Sequence, residues 1–287
     1  MENKYFTLNN GVKMPCYGLG VFQNKDPELC EKSVITAIEN GYRMIDTAAV
    51  YGNEAAVGRA IKNCGVPREE LFITTKLWFA DCGYKRAKKA LERSLEKLGL
   101  DYVDLYLIHE PYGWVQNAWK AMEECVREGK IRAIGVSNFG IKELEKLIKN
   151  AEVAPAVNQI ELHPFYQRKE LVTYLKNHGI LAEAWAPFAE GKLDIFHNPA
   201  LCGIAEKHGC TAAQAILAWL NAQGAAVIPK SSKAERIKEN GDFLKVSLTD
   251  EDIRLIDALD RGESLFPWDK GLRVPLRKAL GFFHLAI

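Results

Sequence analysis

An α/β fold of the (β/α)8 TIM-barrel type is what this sequence predicts, and three observations point to it. Short, nearly continuous apolar runs recur along the chain, each followed by an amphipathic helical pattern. That alternation marks a parallel sheet covered by helices. Eight such units fit within about 250 residues, the usual size of a closed barrel. No Pro-, Gly- or Ser-rich linker interrupts them, so the chain, 1–287, reads as a single domain.

Before the barrel, residues 5–8 and 12–14 flank Asn9-Asn10-Gly11, and the Asn-Gly step supplies the positive φ of a tight turn, predicting an N-terminal β-hairpin cap. The first barrel strand spans 16–21 and contains Gly18-Leu19-Gly20. Asp26-Pro27-Glu28 opens a helix, with Asp as cap and Pro in the first turn, and Asn40-Gly41 stops it. Strand two, 42–45, ends at Asp46, and a new helical pattern opens at Gly52-Asn53-Glu54. Strand three, 71–75, ends at Lys76. The helix after it, 84–98, stacks Leu91, Leu95 and Leu98 on one face before Gly99.

Strand four, 103–108, ends at His109 and precedes a helix over 115–127. Strand five, 131–136, ends at Ser137-Asn138, with a helix over 141–149. Strand six, 156–160, delivers Gln159 and Glu161, with a helix over 169–177. Strand seven, 180–184, ends at Trp185 and is followed by helical segments 200–208 and 211–222. Strand eight, 225–228, ends at Pro229-Lys230, and 234–239 is helical. A C-terminal extra helix, capped near Thr249, runs to Leu259. The aromatic tail, 261–287, is expected to lie over one end of the barrel.

Composition narrows the function. Lys+Arg 38 against Asp+Glu 37 leaves a formal net charge of +1, which argues against a broad surface for nucleic acid or anionic membrane. The 7 cysteines, at 16, 30, 64, 82, 125, 202 and 210, form no CxxC pair and read as reduced apolar filler in a cytoplasmic protein. No Cys/His spacing suits zinc, so no metal is expected. The first six residues lack a signal-peptide core, and no apolar run approaches the ~20 residues of a membrane helix. Nothing in the sequence demands more than a monomer.

In a barrel the C-terminal strand ends meet at one mouth, however distant in sequence. That mouth would collect Asp46, Lys76, His109, Ser137, Asn138, Gln159, Trp185 and Lys230, with Tyr51 on the loop after strand two. Each has an ordinary reading in isolation: Tyr51 an interface phenol, His109 a core histidine, Lys76 a surface lysine, Asp46 a helix cap. Together they suit carbonyl chemistry. A free phenol near pKa ~10 is a sluggish acid, and a neighbouring ammonium is expected to lower it. Asp46 can hold that ammonium charged, and His109 can orient a carbonyl oxygen. Without a metal signature, the hydride must come from a cofactor.

At these residues the sequence resembles the aldo-keto reductase family, over nearly the whole chain. Residues 41–48 with Tyr51-Gly52-Asn53-Glu54 look like its first signature; 105–109, 134–139 and 157–161 look like further ones. Ile228-Pro229-Lys230-Ser231-Ser232, with Arg236, Glu239 and Asn240, resembles its cofactor-clamping segment. The resemblance implies a catalytic group of Asp46, Tyr51, Lys76 and His109, with Tyr51 the general acid, reducing aldehydes or ketones to alcohols with NADP(H). It further implies that Ser137, Asn138 and Gln159 hold the nicotinamide carboxamide while Trp185 stacks on the ring. Gly20 and Val21 would also meet the cofactor. Lys230, Ser231, Ser232 and Arg236 would bind the 2′-phosphate, with Glu239 and Asn240 near the adenine. Clustered cations and hydroxyls suit a phosphate, although the same segment could be a solvated face.

The chain also departs from that family. Trp185 stands where Tyr is common, Val21-Phe22 where Thr-Trp is common, and Glu110 where an aromatic residue or Gln is usual. Phe22, Glu110 and Trp114 are therefore candidate substrate contacts on an open mouth with a short 111–114 loop. Glu110 would either repel acidic substrates or turn to solvent. The aromatic Trp114, Phe266, Trp268, Phe282 and Phe283 also have a plain packing role open to them.

A doubly wound nucleotide fold would want G-x-G-x-x-G, and Gly18-Leu19-Gly20-Val21-Phe22-Gln23 lacks the third glycine. A catalytically silent NADP-binding regulatory or structural protein would have no need of all four catalytic positions. A barrel hydrolase needs paired carboxylates across the mouth, for which Glu161 and Glu183 are the available partners of Asp46.

Overall fold

Asn9 and Asn10 do more than turn the chain. Their side chains donate to Pro155 O and Arg132 O, both at 3.0 Å, and so pin the hairpin to the barrel's N-terminal end. The hairpin joins β1 (Tyr5–Thr7) to β2 (Lys13–Pro15), antiparallel with Tyr5 opposite Pro15. Leu8 and Met14 then plug the barrel from below, packing with residues of its interior. The computed structural model describes residues 5–266. The expectations for Trp268, Phe282, Phe283 and most of the tail lie outside the described residues.

Eight parallel strands follow in sequence order: β3 (Leu19–Gly20), β4 (Met44–Asp46), β5 (Phe72–Leu77), β6 (Val103–Ile108), β7 (Ile131–Ser137), β8 (Val157–Glu161), β9 (Leu181–Trp185) and β10 (Ala225–Val227). Parallel bridges Tyr17 to Val227 and Gly20 to Lys230 close the ring. The first strand is shorter than the expected 16–21, because at this seam the chain passes close to its neighbours. A Cβ on Gly18 would sit 2.8 Å from Met44 atoms, and one on Gly20 would sit 2.9 Å from the Ile228 carbonyl oxygen. Glycine is what permits that approach.

Side chains alternate across each strand. One face packs Tyr106, Ile108, Ile134, Val136 and Ile160 against the helices. The other fills the barrel with Met44, Phe72, Leu105, Leu107, Ala133, Val157, Ala226 and Ile228. Continuing that inward face toward the C-terminal ends leads to Asp46, Lys76, Ser137, Gln159, Glu183 and Trp185. Packing residues below and polar residues above occupy one continuous face.

The helices are α1 (Pro27–Glu39), α2 (Glu54–Asn63), α3 (Tyr84–Leu98), α4 (Val115–Arg127), α5 (Ile141–Ile148), α6 (Lys169–Asn177), α7 (Pro199–His208), α8 (Ala212–Ala222), α9 (Ala234–Gly241) and α10 (Asp250–Asp257). Asp26 caps α1 by accepting from Glu28 N and Leu29 N, as its sequence promises. None of the described helices is long and apolar enough to cross a membrane. All seven cysteines are free, and Cys16, Cys30, Cys82 and Cys125 are buried. Cys202 is exposed and Cys64 and Cys210 are half-buried, which corrects the reading of all seven as filler.

Candidate active site

Lys76 is a wholly buried ammonium, and its surroundings satisfy it. Its Nζ donates to Asp46 Oδ1 at 2.6 Å, to Thr47 O at 2.8 Å and to Tyr51 Oη at 3.4 Å. A bare charge at this depth would cost several kcal/mol or neutralise, so the cage is a condition of the fold. Burial alone would lower the Lys76 pKa. The Asp46 carboxylate and the Tyr51 phenol reverse this and hold it above the ordinary lysine range. Burial pushes the Asp46 carboxyl up while Lys76 draws it back down. Contact at 2.6 Å with Lys76, plus a 2.8 Å bond from Gln159 Nε2 to Asp46 Oδ2, favours the ion pair.

Tyr51 rides on a single 3-10 turn, Ala49–Tyr51, between β4 and α2. Gly52, at φ 72°, lets the chain double back into α2. Thr47 Oγ1 donates to Asn53 Oδ1, and Asn53 Nδ2 donates to Val21 O and Asn24 O, so this loop is tied to the chain after β3. The half-buried Tyr51 ring lies 5.0 Å from Phe22, 5.6 Å from His109 and 4.9 Å from Lys76 Nζ. The expected lowering of its pKa is corrected. Burial raises it more than Lys76 lowers it, and Asp46 adds to the rise.

His109 follows β6, anchored by its N–H to Leu77 O at 3.0 Å. Its ring stands edge-on between Tyr51 and Trp78, the latter 5.3 Å away. Burial and then the Lys76 charge push its pKa well below the ordinary histidine value, so the imidazole is neutral at neutral pH. Its Nδ1 is buried without a hydrogen-bond partner among the described residues.

Around this cluster lie the other predicted positions. Ser137 Oγ is likewise buried and, among the described residues, unpartnered. Asn138, in the left-handed region at φ 63°, accepts from Trp185 Nε1 at 2.9 Å through Oδ1. Its Nδ2 donates to His109 O and Glu110 Oε1, each at 3.3 Å. Glu110 thus turns toward Asn138 at the edge of the cleft, half-buried. Gln159 spends its Nε2 on two carboxyl groups, Asp46 and Glu183, each at 2.8 Å. Gly20 forms the seam, and Val21 is wholly buried with its N–H donating to Asp46 O.

A cleft of about 910 Å³ adjoins the cluster, lined by Glu110, Trp114, Asn138, Trp185 and Phe266 among others. Trp114 is 56% exposed, so it is not packing material, whereas Phe266 lies 5.2 Å from the Trp185 ring. Phe22 sits apart from Trp114, against Tyr51. Glu161 is taken up structurally: it accepts from Ser264 Oγ and from Leu265 N, clamping the chain beside Trp185.

Beyond β10, Lys230 and Arg236 are exposed and form no ion pair among the described residues. Ser231 is buried, its Oγ accepting from Lys233 N at 3.2 Å, and Ser232 is half-buried. The Glu239 carboxylate accepts from Thr211 Oγ1, and Asn240 is buried at the end of α9. Unpartnered Ser137 Oγ beside Asn138 and Trp185, with two unpaired cations farther along the rim, fits an aromatic amide joined to an anionic tail. Sequence reasoning gave no part to Thr47, Asn53 or Trp78, and it considered Glu183 only as a hydrolase partner. Counting two residues on from Lys76, or two back from Trp185, would have flagged Trp78 and Glu183.

A family model described as the aldo/keto reductase family matches residues 16–261. Glyoxal reductase of Bacillus subtilis (strain 168) is 51% identical over 261 residues, covering 91% of this chain and 94% of that one. Methylglyoxal reductase DkgA of Escherichia coli (strain K12) is 45% identical over 263 residues, covering 91% and 94%. The crystal structure of a Bombyx mori aldo-keto reductase in complex with NADP superposes with a TM-score of 0.89 at 33% identity, covering 96% of this chain and 99% of that one. With barrel, strand order and matched segment in agreement, the chain belongs to the aldo/keto reductase family.

Proposed function

We propose that this protein reduces aldehyde and ketone carbonyls to alcohols using NADPH, with Tyr51 as general acid. The observation that carries this reading is the Lys76 ammonium held jointly by Asp46 and Tyr51. When bound, NADPH would supply the hydride to the carbonyl carbon. Tyr51 gives its phenolic proton to the carbonyl oxygen, and its raised pKa keeps that proton in place throughout the neutral range. Lys76, 3.4 Å away, stabilises the phenolate left behind, and Asp46 keeps Lys76 charged. Neutral His109 orients the carbonyl by an N–H bond without adding charge.

Ser137, Asn138 and Gln159 would hold the nicotinamide carboxamide, Trp185 would face the ring, and Gly20 and Val21 would line the seam beside it. Lys230, Ser231, Ser232 and Arg236 suit a 2′-phosphate, which favours NADPH over NADH, with Glu239 and Asn240 toward the adenine. Phe22, Glu110 and Trp114 would meet the substrate. The names of two relatives, glyoxal reductase and methylglyoxal reductase, support small 1,2-dicarbonyls as its class.

Tyr51→Phe tests the assignment. Turnover of an activated aldehyde should fall by about 10²–10⁴. The Kd for NADPH should stay nearly constant, since Phe keeps the ring and removes only the hydroxyl. Turnover close to wild type would refute the role of Tyr51.

A further inference from the structure

Glu183 is a wholly buried acid for which the reaction above has no use. It lies on β9 two residues before Trp185, on the same inward face, and pairs in register with Gln159 of β8. Gln159 Nε2 donates to Asp46 Oδ2 and Glu183 Oε2, each at 2.8 Å. An atom facing two carboxyl oxygens must be the amide nitrogen, because an oxygen there would meet two acceptors. Gln159 Oε1 accepts no hydrogen bond among the described residues, so this end of the amide remains for a ligand's N–H. Among the described residues, Glu183 Oε1 is buried with no partner.

We propose that Glu183 is a positioning residue: by sharing the Gln159 amide with Asp46, it fixes which end of that amide faces the nicotinamide carboxamide. This rests on the NADP(H) reading above. The charged groups facing Glu183 are Asp46 from β4 and Lys76 from β5; β8 contributes neutral Gln159, and Ala226 stands opposite on β10. One ammonium balances one carboxylate and not two. Burial, then the Asp46 charge, pushes the Glu183 pKa up to about 8. Glu183 is therefore neutral at neutral pH and gains a negative charge as the pH rises through that value. A carboxylate there favours the cationic oxidised nicotinamide over the neutral reduced ring.

The test is the Kd of NADP+ and of NADPH, read by tryptophan fluorescence quenching across the neutral and alkaline range, in wild type, Glu183→Leu and Glu183→Gln. Glu183→Leu removes the acceptor and should weaken both nucleotides about tenfold, the equivalent of one lost hydrogen bond. Glu183→Gln keeps an accepting oxygen and should recover most of that loss. In wild type NADP+ should bind more tightly as the pH rises through about 8. That dependence should vanish in Glu183→Gln, which a merely structural role would not bring about. A folded Glu183→Leu that binds like wild type, or a Glu183→Gln that keeps the wild-type pH dependence, overturns the proposal. Should Glu183→Leu fail to fold, the pH profile of Glu183→Gln decides. Wild type that binds neither nucleotide defeats the cofactor reading and this proposal with it, whereas normal wild-type binding with unaltered variants defeats the positioning role alone.

Discussion

Lys76 is a charge that could not be buried without its neighbours. Three acceptors meet its Nζ, and one of them, Asp46, is itself buried and anionic. Lys76→Met should therefore cost about 3–5 kcal/mol, because it leaves the Asp46 carboxylate uncompensated inside the barrel. Adding Asp46→Asn should restore part of that stability, since the orphaned charge is then gone, yet restore no turnover. Urea unfolding measures the first effect and an aldehyde assay the second. A loss below about 1 kcal/mol in the single variant would mean that water already reaches Asp46. Tyr51 teaches a related lesson at the same scale. The expected contribution of Lys76 has the right sign, but burial is larger, and only the folded site shows which wins.

Among elements, the strands were legible because period-two alternation and apolar runs are local. β5, β6 and β9 end within a residue or two of where the sequence places them, and so Lys76, His109 and Trp185 reach the mouth. The first strand was less legible, since its length is set by glycine contacts to Met44 and Ile228, both far along the chain. Helix caps were readable from short motifs, and α10 carries one with consequences. Asp252 accepts from Thr249 N and Thr249 Oγ1 at its own helix start, and from Lys207 and His208 at the end of α7.

Burial pushes the Asp252 carboxyl up, but these bonds outweigh it and hold the group well below the ordinary carboxylate range. Its folded pKa is depressed, so its stabilisation is present above the unfolded value of ~3.9 and lost as the pH falls below it. Asp252→Asn should cost about 1–3 kcal/mol at neutral pH, tempered by the half-exposed Lys207. The gap from wild type should shrink between about pH 4 and pH 2. Denaturant midpoints at several pH values check this; a pH-independent gap would show that the cap works without its charge.

For the whole molecule, the barrel gathers one cluster from β4, β5, β6, β8 and β9 and sets a cationic rim beyond β10. A ligand that spans both should stabilise the folded state by mass action. NADPH at a hundredfold excess over its Kd contributes about 2.7 kcal/mol, which raises Tm by several degrees. NADH, without the 2′-phosphate for Lys230 and Arg236, should raise it distinctly less at the same concentration. Equal shifts in a thermal melt would count against the rim as a phosphate site. The hydrolase arrangement also fails at this scale: Asp46 and Glu183 are buried on either side of one Gln159 amide and do not face each other across an open mouth.

By itself the sequence determined the barrel, the order of its elements, and which residues stand at or just beyond the strand ends. Those follow from local periodicity, capping and turn chemistry, which neighbouring residues settle among themselves. Tertiary structure decided the rest: that the Tyr51 pKa rises, that Glu110 bonds Asn138, that Gln159 links two acids, and that Glu183 belongs to the site at all. Each of these depends on charges and burial contributed by strands distant in the chain, whose balance exists only once the ring has closed.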